Sequence, residues 1–266
     1  MSVVFQIKGR LGNALFRYIG CSLFCLKYNL NYKIQDKYNN IITDSTFIKW
    51  IENDKQNILQ NINTNLNYLF NGYYQHDFIY RKYKKELLEY MTKNKEHYIL
   101  TDGINAGDGN IEKFYIKDII NTPINFDKYY DLVIHIRLGD KVNNNTTLSL
   151  NAIQNLLKQI NIPINSCIVV NKPKNDYDIN FIKHIQTFIT NQHKNNIIIE
   201  CNDILTDFHI MKNATTLICS ISTISWCAAF FSKKINKCYM PDYPFEINTD
   251  GHCKTPIENT ILYKFT

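Results

Sequence analysis

The sequence predicts an α/β protein of two domains, of which the second is a doubly wound nucleotide-binding domain. Short β-branched runs alternate with helical patterns through the second half of the chain. These runs are apolar throughout, which is typical of parallel strands covered on both faces. The first half opens with a strand, a glycine-containing turn and a helix, which is how such a domain begins.

The second half is the easier one to assign. Apolar residues recur every three or four positions between 148 and 160 and again between 182 and 189, so we expect helices there. Two more helices are expected, one carrying Asp207 and Met211 and one from Ile224 to Phe231. Strands are expected at 131–136, 167–171, 196–200, 215–219 and 237–240.

The first half is less regular. We expect a strand at 3–8, a helix at 13–29 and a charged helix at 76–93, with residues 104–128 as a connecting region. The boundary is placed near Asp127, which gives an N-terminal α/β domain at 1–128 and a nucleotide-binding Rossmann-like domain with a C-terminal tail at 129–266.

Composition and charge exclude several function classes. A net charge of +6 in 266 residues is below the basic density of a dedicated nucleic-acid binder. Most of the eight cysteines lie in apolar segments without the spacing of a zinc site, so we expect reduced core thiols and no metal. The sequence shows no leader pattern and no apolar run of about 20 residues, so a cytoplasmic protein without stable membrane insertion is expected.

Gly9-Arg10-Leu11-Gly12-Asn13 lies between the first strand and the first helix. Two glycines allow a tight turn that leaves backbone amides and a helix N-terminus facing outward, which suits a phosphate. The same pattern is also common in turns that are only structural.

His135-Ile136-Arg137-Leu138-Gly139-Asp140 ends the first strand of the second domain. Ligands of open α/β sheets bind beyond the carboxyl ends of the strands, so Arg137 is placed where a diphosphate would lie. Alternatively, His135 is a satisfied core histidine and Arg137 forms a salt bridge with Asp140.

A cluster of hydroxyl side chains follows the strand at 215–219. Ser222, Thr223 and Ser225 surround the start of the next helix, where hydroxyls and the positive end of the helix dipole favour an anion. A helix cap with no ligand is the alternative. On spacing alone, the segment Gly72-Tyr73-Tyr74-Gln75 indicates only an aromatic strand end.

Taken in order, these segments resemble the successive motifs of the α-1,2-fucosyltransferase family, over nearly the whole chain. The Arg-containing peptide is also similar to that of α-1,6- and protein O-fucosyltransferases. The resemblance implies two Rossmann-like domains facing a cleft, the GT-B arrangement of glycosyltransferases, with residues 1–128 on the acceptor side and residues 129–266 binding the nucleotide sugar. It also implies inverting, metal-independent transfer of fucose from the donor GDP-fucose to a hydroxyl of a glycan acceptor.

The resemblance also implies roles for individual residues. Arg137 is the expected catalytic residue, holding the donor diphosphate, and Asp207 is expected to accept hydrogen bonds from guanine. The expected donor-binding residues are Gly9, Arg10, Gly12, Asn13, His135, Arg137, Asp140, Lys141, Asp207, Ser222, Thr223 and Ser225. The expected acceptor or cleft residues are Tyr74, Gln75 and Asp77.

The chain departs from the family pattern at four positions. The family usually has a second arginine where this chain has Leu138, and Lys141 is the cation best placed to compensate. The other departures are at Ala14, Ile221 and Cys227, where the family has Gln, Asn and Trp.

The residues leave parts of the chemistry open. Asp176-Tyr177-Asp178 has the spacing of a carboxylate metal motif but falls at an expected helix N-terminus. Asp140, His76 and Asp77 are all possible general bases, and each is equally compatible with a structural role. Two other functions stay open: a transferase of the same architecture with a different nucleotide sugar, and a non-catalytic module that binds a glycan or nucleotide.

Overall fold

The computed structural model describes residues 2–5, 9–33, 40–43, 67–102, 110–138, 148–242 and 254–264. The chain divides into two compact units, an N-terminal unit within residues 1–123 and a C-terminal unit within residues 124–244 and 254–266. Each unit contains a parallel sheet, so the described chain is a mixed α/β protein.

The N-terminal unit has a four-stranded parallel sheet, with strands in the order β2-β1-β4-β3, and a separate antiparallel pair β5-β6. Its strands are β1 Ser2–Phe5, β2 Asn31–Tyr32, β3 Asn40–Thr43, β4 Tyr68–Asn71, β5 Tyr98–Asp102 and β6 Ile111–Tyr115. Its helices are α1 Leu11–Tyr28, α2 Asp77–Lys82, α3 Lys84–Lys93 and α4 Ile116–Ile120. Helix α1 is central because residues on all its sides are buried, from Leu11 to Cys25.

The C-terminal unit has a six-stranded parallel sheet in the order β12-β11-β10-β7-β8-β9. Its strands are β7 Leu132–Ile136, β8 Ser166–Val170, β9 Ile198–Glu200, β10 Thr216–Ile218, β11 Lys237–Asp242 and β12 Thr260–Lys264. Its helices are α5 Leu150–Leu157, α6 Asp176–His193, α7 Ile204–Asn213 and α8 Thr223–Phe231. Numbered from β7, this strand order is that of a dinucleotide-binding Rossmann sheet.

Side chains of β7 alternate between the two faces of this sheet. Leu132, Ile134 and Ile136 belong to one core cluster with apolar residues of β8, α5 and α6. Helices α7 and α8 pack together, and α7 contacts β7 and β8 outside that cluster. The sheet is therefore covered on both faces, as the apolar strands predict, and β7 is buried at every position.

The main elements predicted from the sequence are present with shifted ends. The expected charged helix at 76–93 is two helices, because the chain breaks at Tyr83 between α2 and α3. The prediction for residues 104–128 was too coarse, since β6 and α4 lie within that segment. Helix α1 begins at Leu11, two residues before the predicted start, so Gly12 lies in its first turn.

Most of the cysteines are buried thiols, as the sequence predicts. The seven cysteines that the structure describes are all free thiols, and each is buried except Cys201; Cys253 lies outside the described residues. Among the described helices, none is both long and apolar enough to cross a membrane.

Leu138 belongs to the apolar core between the sheet and helices α5 and α6, and its side chain is fully buried. We expect Leu138→Ala to lower the free energy of unfolding by about 2–5 kcal/mol because it leaves a cavity. Leu138→Arg should cost at least as much because it places an unpaired charge in that core. Urea denaturation followed by circular dichroism measures both changes.

Leu262→Ala is the matched control, since Leu262 is an exposed leucine of the same unit. We expect it to change stability by less than about 0.5 kcal/mol. Wild-type stability in Leu138→Arg would show that this position accommodates a cation without loss of the core.

Candidate functional site

The carboxyl edge of the sheet in the C-terminal unit holds most of the predicted site. From β7 the chain proceeds to β8 and β9 on one side, and β10 then pairs with the other side of β7. Such a reversal of strand order leaves a crevice beyond the ends of the two central strands, where doubly wound proteins bind their ligands. The residues after β7 and β10 therefore lie at the position expected for a ligand.

Arg137 directly follows β7 and is half-buried. The next residue, Leu138, packs with α5 and α6, so the alternation of side chains directs Arg137 to the face of α7 and α8. The backbone N–H of Leu138 donates to Oδ1 of Asn171 at 3.1 Å, which joins the chain after β7 to the chain after β8. This bond fixes the backbone from which the guanidinium of Arg137 extends.

His135 is buried, and its Nδ1 is hydrogen-bonded to Oγ of Ser220 at 3.0 Å. This contact joins the ends of β7 and β10. Burial lowers the pKa of His135 to about 4, so the imidazole is neutral near pH 7. The structure thus gives His135 the geometry of a satisfied core histidine, which does not favour direct contact with a donor.

The start of helix α8 lies after β10 at the same edge. Ser222 is the N-cap residue and Thr223 begins the helix, and both are half-buried. Neither hydroxyl takes part in a hydrogen bond within the described residues, and the first N–H groups of a helix have no partner in the helix itself. Ser225 differs, because it is fully buried and its hydroxyl donates to the carbonyl of Ser222 at 3.1 Å.

Asp207 lies in the first turn of α7 and is buried. Its Oδ1 accepts hydrogen bonds from the backbone N–H of Asn202 at 3.2 Å and from Nδ2 of Asn202 at 2.9 Å. Its Oδ2 has no hydrogen bond within the described part of the chain. Burial raises the pKa of Asp207, and the hydrogen bonds from Asn202 oppose that shift.

The Asp207 side chain is part of a polar network that the sequence did not reveal. Nδ2 of Asn202 also donates to Oε2 of Glu200 at 2.9 Å, and Nζ of Lys128 donates to the same oxygen at 2.6 Å. The hydroxyl of Tyr130 donates to the other oxygen of Glu200. The network lies near the end of β9, two strand spacings or about 10 Å from the end of β7.

The predicted phosphate turn in the N-terminal unit requires its first glycine. Gly9 has φ of 79°, and a Cβ there would lie 3.0 Å from Nδ2 of Asn13. The carbonyl of Gly9 accepts from the backbone N–H of Asp102 at 3.0 Å, which ties the turn to β5. Arg10 is the N-cap residue of α1 and Gly12 is buried in its first turn.

Two predicted motifs of the N-terminal unit meet at Asn13. Nε2 of Gln75 donates to Oδ1 of Asn13 at 3.3 Å, although 62 residues separate them. Tyr74 precedes Gln75 with φ of 53°, and its fully buried ring packs against Phe70 at 4.9 Å. Tyr74 is therefore a core residue, and Asp77 is buried at the start of α2. Asn13 and Gln75 remain half-buried.

Asp140 and Lys141 lie outside the described residues, so the alternative ion pair of Arg137 with Asp140 stays a hypothesis. Within the described residues, no group of three His, Cys, Asp or Glu side chains is placed to hold a metal ion. Asp176 and Asp178 begin α6, as expected, and Oδ2 of buried Asp178 accepts the backbone N–H of Lys174 at 2.9 Å.

We compared the chain with known proteins. No model of a protein family matches it, and no curated protein matches it. The function is therefore inferred from the residues and their arrangement.

The low pKa of His135 predicts a pH dependence of stability. The ordinary histidine pKa is 6.5, so between pH 6.5 and about 4 the unfolded chain binds a proton that the folded chain does not. The neutral buried imidazole therefore contributes fully to the free energy of unfolding above pH 6.5. That contribution is lost as pH falls from 6.5 to about 4, and the total loss is about 3 kcal/mol. Urea denaturation from pH 4 to pH 8 measures it.

His135→Gln is the informative variant because glutamine does not titrate and retains a hydrogen-bonding group for Ser220. We expect its stability to depend less on pH than that of the wild type between pH 4 and 6.5. Exposed His184 provides the control, and His184→Gln should leave the wild-type profile unchanged. If the free energy of unfolding depends on pH in the same way for wild type and His135→Gln, the claim that His135 is buried as a neutral imidazole is wrong.

Proposed function

We propose that the chain is a glycosyltransferase that binds the diphosphate of a nucleotide sugar beyond the ends of β7 and β10. On the resemblance of its motifs, the donor is GDP-fucose and the product is an α-1,2-linked fucoside. The proposal includes a GT-B arrangement in which the N-terminal unit supplies acceptor-side residues.

One observation carries the proposal: Arg137 and the start of α8 follow adjacent parallel strands at the point where strand order reverses. Arg137 offers a permanent charge with paired donors, which suits a diphosphate. Ser222 and Thr223 add hydroxyls at the positive end of a helix dipole.

The proposed mechanism depends on where charge develops as the sugar is transferred. The acceptor hydroxyl attacks C1 of the sugar, the bond from C1 to the phosphate oxygen breaks, and the diphosphate leaves with the bonding electrons. Donors already oriented toward that leaving group stabilise it more in the transition state than in the bound donor. Arg137 and the N–H groups of α8 would fill this role without a metal, while the hydroxyl proton passes to a base that is not assigned.

The N-terminal unit would add Asn13. Its amide nitrogen is available to a donor phosphate, since Oδ1 is the atom that accepts from Gln75. Asp207 would present Oδ2 to the guanine edge, because Oδ1 is already held by Asn202. One carboxylate oxygen is thus held by the protein, and the other can accept hydrogen bonds from a base with N–H donors.

The donor identity is tested by comparing GDP, UDP and ADP in thermal unfolding. We expect GDP at a hundredfold excess over its dissociation constant to add about 2.7 kcal/mol of stability, and more than UDP or ADP at equal concentration. EDTA should leave the GDP effect unchanged, because no metal takes part in the proposed site.

A preference for UDP or ADP would indicate a transferase for a different nucleotide sugar. A strict requirement of turnover for Mg²⁺ or Mn²⁺ would contradict the metal-free mechanism. GDP binding without any hydrolysis of radiolabelled GDP-fucose and without transfer would favour a non-catalytic binding module.

Arg137 is the residue on which turnover should depend most. We expect Arg137→Ala to lower kcat by at least about 10²–10³, the scale for removing one preorganised donor in a transition state. Arg137→Lys should be impaired too, since it retains charge but loses the planar pair of donors. Release of GDP from GDP-fucose measures both variants.

Lys158→Ala is the control, because Lys158 is an exposed cation of the same unit that follows α5 at the other edge of the sheet. Its turnover should match that of the wild type. If Arg137→Ala melts the protein while its folded fraction transfers sugar normally, Arg137 is a structural ion-pair residue and the site lies elsewhere.

A further inference from the structure

A pocket of about 470 Å³ opens in the N-terminal unit between the last turn of α1, strand β2 and one face of α3. It lies at the opposite end of α1 from the turn that contains Gly9. The 18 residues of that helix span about 27 Å, so the pocket is separate from the predicted phosphate turn. Its volume is within the range of small-molecule sites.

The base of the pocket is buried and largely apolar. Cys25, Leu30 and Tyr32 line it, and all three are buried. The hydroxyl of Tyr32 donates to the carbonyl of Tyr98 at 3.2 Å, so its polar atom is already satisfied by the protein. A ligand at this depth therefore meets hydrocarbon and aromatic surface.

Two half-buried aromatic side chains form the walls. The His97 ring lies 4.9 Å from the Tyr32 ring, and its Nδ1 is hydrogen-bonded to the hydroxyl of Tyr18 at 3.1 Å. Burial lowers the pKa of His97 and raises the pKa of Tyr90, so both side chains are uncharged near neutral pH. Both are aromatic rings that carry polar atoms, and Nε2 is the ring nitrogen of His97 that Tyr18 does not use.

The rim is polar and contains both hydrogen-bond donors and hydrogen-bond acceptors. Glu86, Glu89 and Lys93 lie on one face of α3 and are exposed. Asn31 and Asn94 also line the pocket, and Nδ2 of Asn94 donates to the carbonyl of Tyr90 at 2.8 Å, which leaves its Oδ1 as an acceptor. Carboxylates only accept hydrogen bonds, an ammonium only donates them, and amides do both.

We propose that this pocket binds a neutral saccharide ring. Sugar hydroxyls both donate and accept, which matches a rim that contains acceptors, a donor and amides, and the C–H face of the ring can pack on Tyr90 and His97. The rim has two carboxylates and one ammonium, so its net negative charge disfavours the binding of phosphates and other anions. The inference goes beyond the proposed function and does not depend on it.

The test uses four neutral probes, the methyl glycosides of glucose, galactose, mannose and N-acetylglucosamine, titrated into the full chain and followed by amide NMR shifts. We expect at least one to bind with a millimolar dissociation constant and to shift resonances of Asn31, Asn94 and their neighbours. Glu89→Ala should weaken that binding at least about tenfold, because a charged acceptor is lost. Glu86→Ala, one turn away, serves if Glu89→Ala fails to fold.

Glu112→Ala is the matched control, an exposed glutamate on β6 that does not line the pocket, and it should retain wild-type affinity. Affinity for the neutral glycoside should also be the same at 50 and 500 mM NaCl, and strong salt dependence would show that binding does not rest on hydrogen bonds to a neutral ring and would overturn the proposal. Failure of all four glycosides to bind the wild type would overturn it too.

Arg137→Ala separates this inference from the proposed function. We expect the variant to bind the glycoside within about twofold of wild type, since the pocket is in the other unit. Loss of glycoside binding in Arg137→Ala would place the sugar at the donor site and overturn the pocket. If the protein binds the glycoside but does not bind GDP, the proposed function is wrong and the inference about the pocket is unaffected.

Discussion

The central constraint is the alternation of side chains along β7, a strand buried on both faces. Because neighbouring residues point to opposite sides of a sheet, Ile136 and Leu138 enter the core with α5 and α6, while His135 and Arg137 face α7 and α8. A shift of one residue would put the guanidinium in the apolar core and a leucine at the crevice. Hydrogen bonds to Asn171 and Ser220 fix the end of the strand in this register.

This constraint explains in physical terms why position 138 is a leucine. The side chain is fully buried, so the position contributes packing and not charge. Arg137 therefore supplies a cation at the crevice, and the backbone amides of α8 supply a second positive element.

Local patterns in the sequence were enough to predict the parallel sheet of the C-terminal unit, five of its six strands and the edge at which Arg137 lies, but β12 was expected only as a tail. Apolar strands and helical periodicity are local properties, and the carboxyl-edge rule converts them into a site. The network of Lys128, Glu200 and Asn202 could not be predicted in this way, because it joins residues about 70 positions apart. The burial of Ser225, whose hydroxyl is used by its own helix, and the burial of the Tyr74 ring depend on packing between elements, which residue spacing does not show.

The contact between His135 and Ser220 has an evolutionary consequence. Losing one partner of a buried hydrogen bond leaves the other without compensation, whereas replacing both by apolar groups of similar shape costs little. The two positions, 85 residues apart, should therefore covary, changing together or not at all. A histidine at this strand end would therefore be retained because of its hydrogen-bonded neighbour across the sheet. Its conservation among relatives would not by itself indicate a catalytic role.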